Sequence, residues 1–424
     1  MAHNRKLTER LQGLSPNERK KVFVFTGARQ TGKTTLVKNF FDDHKYISVE
    51  DPVGRLPFTK LNASQWSANF PKASLDEVQK EPELVESIKS VYDQFDDTHY
   101  NLLGSSQLLL LEKVRESLAG RCKIFELYPL TLPELSADSF DAPVPDSIFQ
   151  KMVRDCTAGR FDKSFLDLLL PDWKISPRYE IQYKCFEHYK KFGGYPALVN
   201  KDMADEERYE WLRDYVRTYL ERDVRDLANF RDLEPFVRLQ QYLAMQTGQT
   251  LNASSIAKQL GVSGKTVQRY ITYFEMSYQI LALTPWEKNA NRRLVKSPKL
   301  HYLDNGVLQS VLMKRGGITG AEFESLVIAE LYKQVKSILV DARFYHLRTN
   351  DGYEVDFLIE LPQGYFAFEI KMAEKVDRVD ARHLLRLAPI LDKPLLHSFV
   401  LSNDSEVKKI SDGCTAIHAA YFMG

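Results

Sequence analysis

Apolar positions along the chain switch between strand-like runs and helical spacing, and the switches mark out the elements. Residues 21–41, KVFVFTGARQTGKTTLVKNFF, open with an apolar β-rich run, turn between two glycines and continue at helical spacing. Strand, loop and helix are predicted in that order. In FPKASLDEV, residues 70–78, Pro71 and Lys72 interrupt the apolar run, so a poor strand is expected before Asp76 and Glu77, followed by the helix PELVESIKSVYDQ. His99–Ser106 reads as a short strand ending in small polar residues, and RCKIFELY as a further β-rich run after a helix end. From about 140 to 200 the pattern is irregular, with Pro143, Pro145, Pro171 and Pro177 marking turns before the corner Gly193-Gly194-Tyr195-Pro196. A helical, lid-like region is expected there. DEERYEWLRDYVRTYLERDVRDLANF then has apolar positions three and four apart among mixed charges, which predicts one long helix.

Residues 250–283, TLNASSIAKQLGVSGKTVQRYITYFEMSYQILAL, give the clearest second signal. A helix, a tight turn at Gly261, a cap at Ser263 and a second helix form a helix-turn-helix, and the apolar run after Gln279 extends it to a winged helix. Lys265, Thr266, Gln268 and Arg269 are expected on the outward face of the second helix, with Arg292 and Arg293 following. Further on, FESLVIAELYKQV, ARFYHLRTNDGYEVDFLIE and GYFAFEIK read as helix, strand, strand, and LLHSFVLS as a late strand closing the same sheet.

A length of 424 residues predicts two or three domains, and 44% apolar with 27% charged residues is ordinary for a globular protein. The net charge is only +1, so a polyanionic partner must be met by a local patch. One exists: from Lys258 to Lys299 there are eight Lys or Arg against two Glu, a surplus of six. Phosphate contacts fit it, although a winged helix that merely holds subunits together is the alternative. Cys122, Cys156, Cys185 and Cys414 lie far apart, without metal-ligand or disulfide spacing, and the nine histidines are scattered. No stretch of 18 apolar residues occurs and the first residues lack a signal-peptide pattern, so a cytoplasmic location is expected, with no membrane partner.

The loop Gly27, Ala28, Arg29, Gln30, Thr31, Gly32, Lys33, Thr34, Thr35 has the spacing of a phosphate-binding loop. Its backbone N–H groups and the following helix N-terminus suit phosphate oxygens. Lys33 is expected on the β- and γ-phosphates and the Thr34 hydroxyl on magnesium. ATP hydrolysis also needs acids at a neighbouring strand end: Asp76 for magnesium and Glu77 as general base, an exposed acidic pair opening the next helix being the alternative. Ser105 or Ser106 is placed to sense the γ-phosphate. Arg121, with Arg115 as its rival, is placed to stabilise a transferring phosphoryl group in its own or a neighbouring subunit.

GARQTGKTTL, LDEVQKEPEL, LLGSSQLLLLEKVRESLAGR, FELYPLTLPEL and GGYPALV, in this order, resemble a widespread prokaryotic family of AAA-type ATPases over nearly the whole chain. The resemblance implies an ATPase related to the initiator-like and signalling branches of that class, followed by a region long catalogued as of unknown function. It is similar there to the PD-(D/E)XK nuclease core: Asp356, Glu369 and Lys371 match the motif, Glu324 matches the helix acid, and two carboxylates suit Mg²⁺ or Mn²⁺. An ordinary rim ion pair between Glu369 and Lys371 is the alternative.

The expected organisation is α/β throughout. A P-loop AAA-type core with a parallel sheet spans 1–140, a helical lid-like region 141–235, a winged helix 236–305, and an α/β restriction-endonuclease-like domain 306–424. ATP and Mg²⁺ are the expected cofactors, DNA and further copies of the chain the expected partners. The leading expectation is an ATPase acting on DNA, including branched DNA; a nucleotide-controlled oligomeric switch and an ATP-gated metal-dependent endonuclease are the alternatives.

Overall fold

The computed structural model describes residues 3–104, 114, 116–137, 139, 142–162, 177–218, 233–288, 297–349 and 352–424. Two sheets organise them. The first has five parallel strands, β1 (Val22–Thr26), β2 (Lys45–Ser48), β3 (Lys72–Asp76), β4 (His99–Leu103) and β5 (Cys122–Glu126), in the spatial order β2-β3-β4-β1-β5. All five residues of β1 are buried, as a parallel strand covered on both faces requires. Alternation divides them: Val22 and Val24 join the core of Leu75, Leu102 and Ile88, while Phe23 and Phe25 join the core of Leu36, Val37 and Phe125 on the other face.

β3 is better formed than its sequence suggests. Pro71 lies just outside the strand, Lys72 is its exposed first residue, and the next four residues are buried between β2 and β4. Pairing on both sides outweighs the short apolar run.

The second sheet has eight strands in the order β12-β13-β11-β10-β9-β8-β6-β7. Here β6 is Ile280–Pro285, β7 Lys299–Tyr302, β8 Arg343–Arg348, β9 Glu354–Leu361, β10 Gly364–Ile370, β11 Leu395–Ser402, β12 Lys408–Ser411 and β13 Cys414–His418. β8, β9 and β10 form an antiparallel meander, and β10, β11 and β13 run parallel. The helix Gly320–Ser337, closed by a Thr319–Glu322 capping box, packs on this sheet with Ile148–Thr157 and Ala419–Met423.

Two junctions bear on the expected organisation. Helix Ile148–Thr157 puts Phe149, Met152 and Val153 into the core of the C-terminal sheet, so this part of the 141–235 segment is C-terminal packing material. The antiparallel pair β6–β7 joins the same sheet through parallel bridges from Thr284 and Pro285 to Tyr345 and His346. Segments 236–305 and 306–424 therefore share one continuous sheet. Helices Glu234–Met245, Ala253–Leu260 and Gly264–Met276 enclose a separate core with Asp205–Thr218 and Asn305–Val311. The turn between the second and third of these three is made by Gly261 at φ 67°, and Ser263 caps the third through the Thr266 N–H. Of the predicted helix from 205 onward, Asp205–Thr218 is described; Arg222 and Arg225 lie outside the described residues.

The corner at Gly193-Gly194 is the point where the regions meet. Leu130 N–H donates to the Gly194 carbonyl at 2.6 Å and Gly194 N–H to Asp304 at 2.8 Å. A Cβ on Gly194 would lie 2.2 Å from the Leu130 carbonyl oxygen, so no side chain fits. Among the described residues no helix is long and apolar enough to cross a membrane.

Candidate nucleotide site and its neighbours

The loop after β1 curls as its glycines allow. Gly27 has φ 149°, and a Cβ there would sit 2.1 Å from the Leu127 carbonyl oxygen. Gln30 adopts φ 60°, and Gly32 at φ 91° caps the helix Lys33–Phe40. The Lys33 ammonium folds back into the loop and donates to the carbonyls of Gly27 at 2.9 Å and Ala28 at 2.7 Å. Thr31 also donates to Ala28, at 2.9 Å. The result is a loop with a buried ammonium held on carbonyl oxygens beside a helix N-terminus, a setting that favours an anion.

β3 delivers Asp76 to the same place. Its Oδ2 accepts from the Thr34 hydroxyl at 2.7 Å and from the Tyr46 hydroxyl at 2.7 Å, while Oδ1 accepts from the Glu77 N–H at 2.9 Å. Burial and Asp76 raise the Tyr46 phenol above its ordinary pKa. Thr34 and Asp76 thus present adjacent oxygen donors, the hard set that suits magnesium. Glu77 has left-handed backbone at φ 60°, which costs about 1 kcal/mol or more for a non-glycine residue, and its carboxylate accepts from Gln79.

The remaining expected participants are less closely gathered. β4 ends level with the loop, since Leu103 pairs with Phe25, but Ser105, Ser106 and Arg115 lie outside the described residues. Arg121 precedes β5, the neighbour of β1, at the end of the parallel sheet opposite the loop, where its guanidinium grips Asp93 at 2.7 and 3.1 Å. The length of one strand separates it from the P-loop of its own chain, so a role there in cis is not what the fold arranges.

Several residues around the loop were not legible as partners. Arg5, buried near the N-terminus, donates to the carbonyls of Thr31 and Tyr128 and pairs with Glu134 at 3.3 Å. Glu126, the last residue of β5, is ringed by the hydroxyls of Tyr128 at 3.2 Å and Tyr278 at 3.3 Å, with the Lys336 ammonium at 3.7 Å. Tyr278 also reaches Thr26 at 3.3 Å. Tyr278 follows the third helix of the helical trio with left-handed backbone at φ 60°, and Tyr332 and Lys336 belong to the helix Gly320–Ser337. One buried aromatic cluster thus touches the P-loop strand, the helix-turn-helix and the C-terminal domain.

On the third helix Lys265, Gln268 and Arg269 are exposed, and Thr266 is half-buried with its hydroxyl bonded to Ser263. Arg292 and Arg293 lie outside the described residues. Lys299, counted with the basic patch on sequence, is instead buried, and this corrects the charge surplus expected of that surface.

At the C-terminal sheet the four expected residues do converge, together with two more. The Lys299 ammonium lies 2.8 Å from Glu324, 3.1 Å from Glu354 and 3.8 Å from Asp356. Lys371 pairs with Glu369 at 2.7 Å, and Asp356 accepts from the Ile370 N–H at 2.8 Å. Burial, then the neighbouring Asp356 charge, pushes Glu324 up to about 8 and Glu369 up to about 7, and burial raises Asp356. Burial pulls Lys299 down, but Glu324 and Asp356 outweigh it and hold the ammonium protonated. Among the described residues no three His, Cys, Asp or Glu side chains stand ready to hold a metal ion.

Residues 19–136 match the AAA domain family, 183–316 a domain of unknown function (DUF8612) and 319–422 a second domain of unknown function (DUF4143). An uncharacterized protein of Mycobacterium tuberculosis is 27% identical over 362 residues, covering 82% of this chain and 70% of that protein. One from Methanocaldococcus jannaschii is 26% identical over 366 residues, covering 82% of this chain and 73% of that protein. Among solved structures, a Walker-type ATPase of Pyrococcus abyssi covers 72% of this chain and 95% of its own with 15% identity and a TM-score of 0.45.

Proposed function

We propose that this chain, a P-loop protein of AAA type, binds ATP at the Gly27–Thr35 loop, hydrolyses it, and passes its nucleotide state to a DNA-contacting face. The observation that carries the reading is the Thr34–Asp76 contact of 2.7 Å beside a Lys33 ammonium resting on loop carbonyls. A triphosphate entering the loop draws the ammonium from neutral oxygens to charged ones. Thr34 and Asp76 would hold magnesium, which when bound neutralises charge on the phosphates. Glu77, released from Gln79, takes the proton of the attacking water. We read Arg121, remote from the loop of its own chain, as a group that would serve the nucleotide of a second copy in a homo-oligomer.

The path outward runs through Glu126 and Tyr278 to the helix that carries Lys265, Gln268 and Arg269. We read the helical trio with the β6–β7 pair as a winged helix and its exposed basic face as the DNA contact. ATPase turnover measured against linear, single-stranded and four-way-junction DNA tests this: stimulation is expected, and turnover indifferent to every DNA would sink the coupling.

A second reading, a slow nucleotide-controlled switch in signalling or defence, is favoured by the engagement of Glu77 with Gln79 and of Asp76 with Tyr46, which describes a resting site. Oligomerisation driven by ATP alone, with turnover slower than any DNA rearrangement, would select it. The C-terminal helix, antiparallel meander and following parallel strand fit a PD-(D/E)XK core. Glu324, Asp356 and Glu369 are hard-cation donors by type, but as arranged around Lys299 they do not fit a bound Mg²⁺ or Mn²⁺. Cleavage of plasmid or junction DNA with added Mn²⁺, lost in Asp356→Ala, is the test of an ATP-gated nuclease.

A further inference from the structure

We infer that Lys299 is the resident cation of the C-terminal carboxylate cluster: its ammonium occupies the place of a divalent ion and ties β7 to the helix Gly320–Ser337 and to β9, so that the cluster as built takes no metal. The inference rests on reading Glu324, Asp356 and Glu369 as a PD-(D/E)XK site. Lys299 is 5% exposed and starts β7, whereas Glu324 comes from the helix Gly320–Ser337 and Glu354 and Asp356 from β9. Three elements are therefore tied by one ammonium.

Charge explains why something must stand there. Four acids, Glu324, Glu354, Asp356 and Glu369, face two ammoniums, Lys299 and Lys371. Buried carboxylates this close cannot all stay ionised without a counter-charge. Glu369 keeps one oxygen, Oε2, buried with no hydrogen-bond partner, so the cluster is not saturated by the chain's own groups. The ammonium, 2.8 Å from Glu324 and 3.8 Å from Asp356, stands where a cation bridging these two carboxylates at about 2.0–2.6 Å would have to sit. Occupancy of that place is thus competitive.

The test is Mn²⁺ binding to the full-length chain, followed by electron paramagnetic resonance and calorimetry, for wild type, Lys299→Gln, Lys299→Arg and the double variant Lys299→Gln with Asp356→Asn. The wild type and Lys299→Arg should bind weakly, Lys299→Gln at least about tenfold more tightly, and the double variant weakly again. Equal binding by wild type and Lys299→Gln would overturn the inference while leaving the metal reading intact. No binding by folded Lys299→Gln would overturn both. Should Lys299→Gln fail to fold, amine-reactive labelling of the wild type decides: Lys299 should be protected without metal and become labelled as Mn²⁺ is raised. Labelling that Mn²⁺ does not change would overturn the inference.

Discussion

Two buried lysines end their searches for a partner differently, and the contrast separates the two ends of the molecule. Lys33 donates to two neutral carbonyls of its own loop. Lys299 lies among three carboxylates. A neutral acceptor yields readily to a phosphate, because a charged acceptor adds Coulomb attraction to the ammonium's hydrogen bond. Buried charge yields to nothing less than charge. The N-terminal loop is therefore suited to admit an anion directly, and the C-terminal cluster to keep a second cation out.

Four outcomes would sharpen or break that contrast. The largest effect belongs to Glu77→Gln: nucleotide affinity should persist while turnover falls about 100-fold to 10,000-fold, as for loss of a general base. Single-turnover hydrolysis with a binding control measures it, and full turnover would return Glu77 to a structural role. Next, Lys299→Met should cost about 3–5 kcal/mol of stability near pH 8 by stranding its carboxylates, and less in mild acid where they take up protons. Denaturant unfolding at both pH values checks this.

Tyr278→Phe removes two hydroxyl contacts, to Thr26 and Glu126, and should cost about 1 kcal/mol. More telling, it should reduce DNA stimulation of ATPase turnover while leaving turnover without DNA unchanged; an equal loss in both would deny it a coupling role. The smallest effect concerns pH. Glu324 has its pKa raised from 4.5 to about 8, so the folded state holds the extra proton and the stabilisation is full below 4.5 and lost as pH rises through about 8. Glu324→Gln should flatten that decline in unfolding midpoints. His99, pushed down to about 4 by burial, works in the opposite sense: its contribution is present above 6.5 and lost as pH falls through about 4, and Glu324→Gln should leave that limb alone.

The strand, loop and helix around Lys33 were legible because each carries its own local signal: a β-rich run, glycines where positive φ is needed, then helical spacing. The position of Asp76 at a strand end beside the loop was legible from the pattern, but its strand was undervalued, since pairing from β2 and β4 is invisible in a local window. Asp356, Glu369 and Lys371, named from the motif resemblance, meet because β9 and β10 are antiparallel neighbours, and Glu324 joins them from the helix Gly320–Ser337. Lys299 was misread as part of a solvent-facing patch, since the charges that bury it come from residues 324, 354 and 356, none of them near it in sequence. Arg121, read as serving its own or a neighbouring subunit, stands at the start of β5, the end of the parallel sheet away from the loop. Arg5 and Tyr278 carried no signal, because contacts to backbone carbonyls and across domains leave no periodicity.

The central claim is that the curled loop from Gly27 to Thr34 holds a triphosphate. Calorimetric titration of the folded chain with a slowly hydrolysed ATP analogue and magnesium, wild type beside Lys33→Ala, tests it most directly. The account predicts saturable one-site binding by the wild type and at least about 100-fold weaker binding by the variant. A folded wild type without affinity for any magnesium nucleotide, or a variant that binds as well as the wild type, would contradict it.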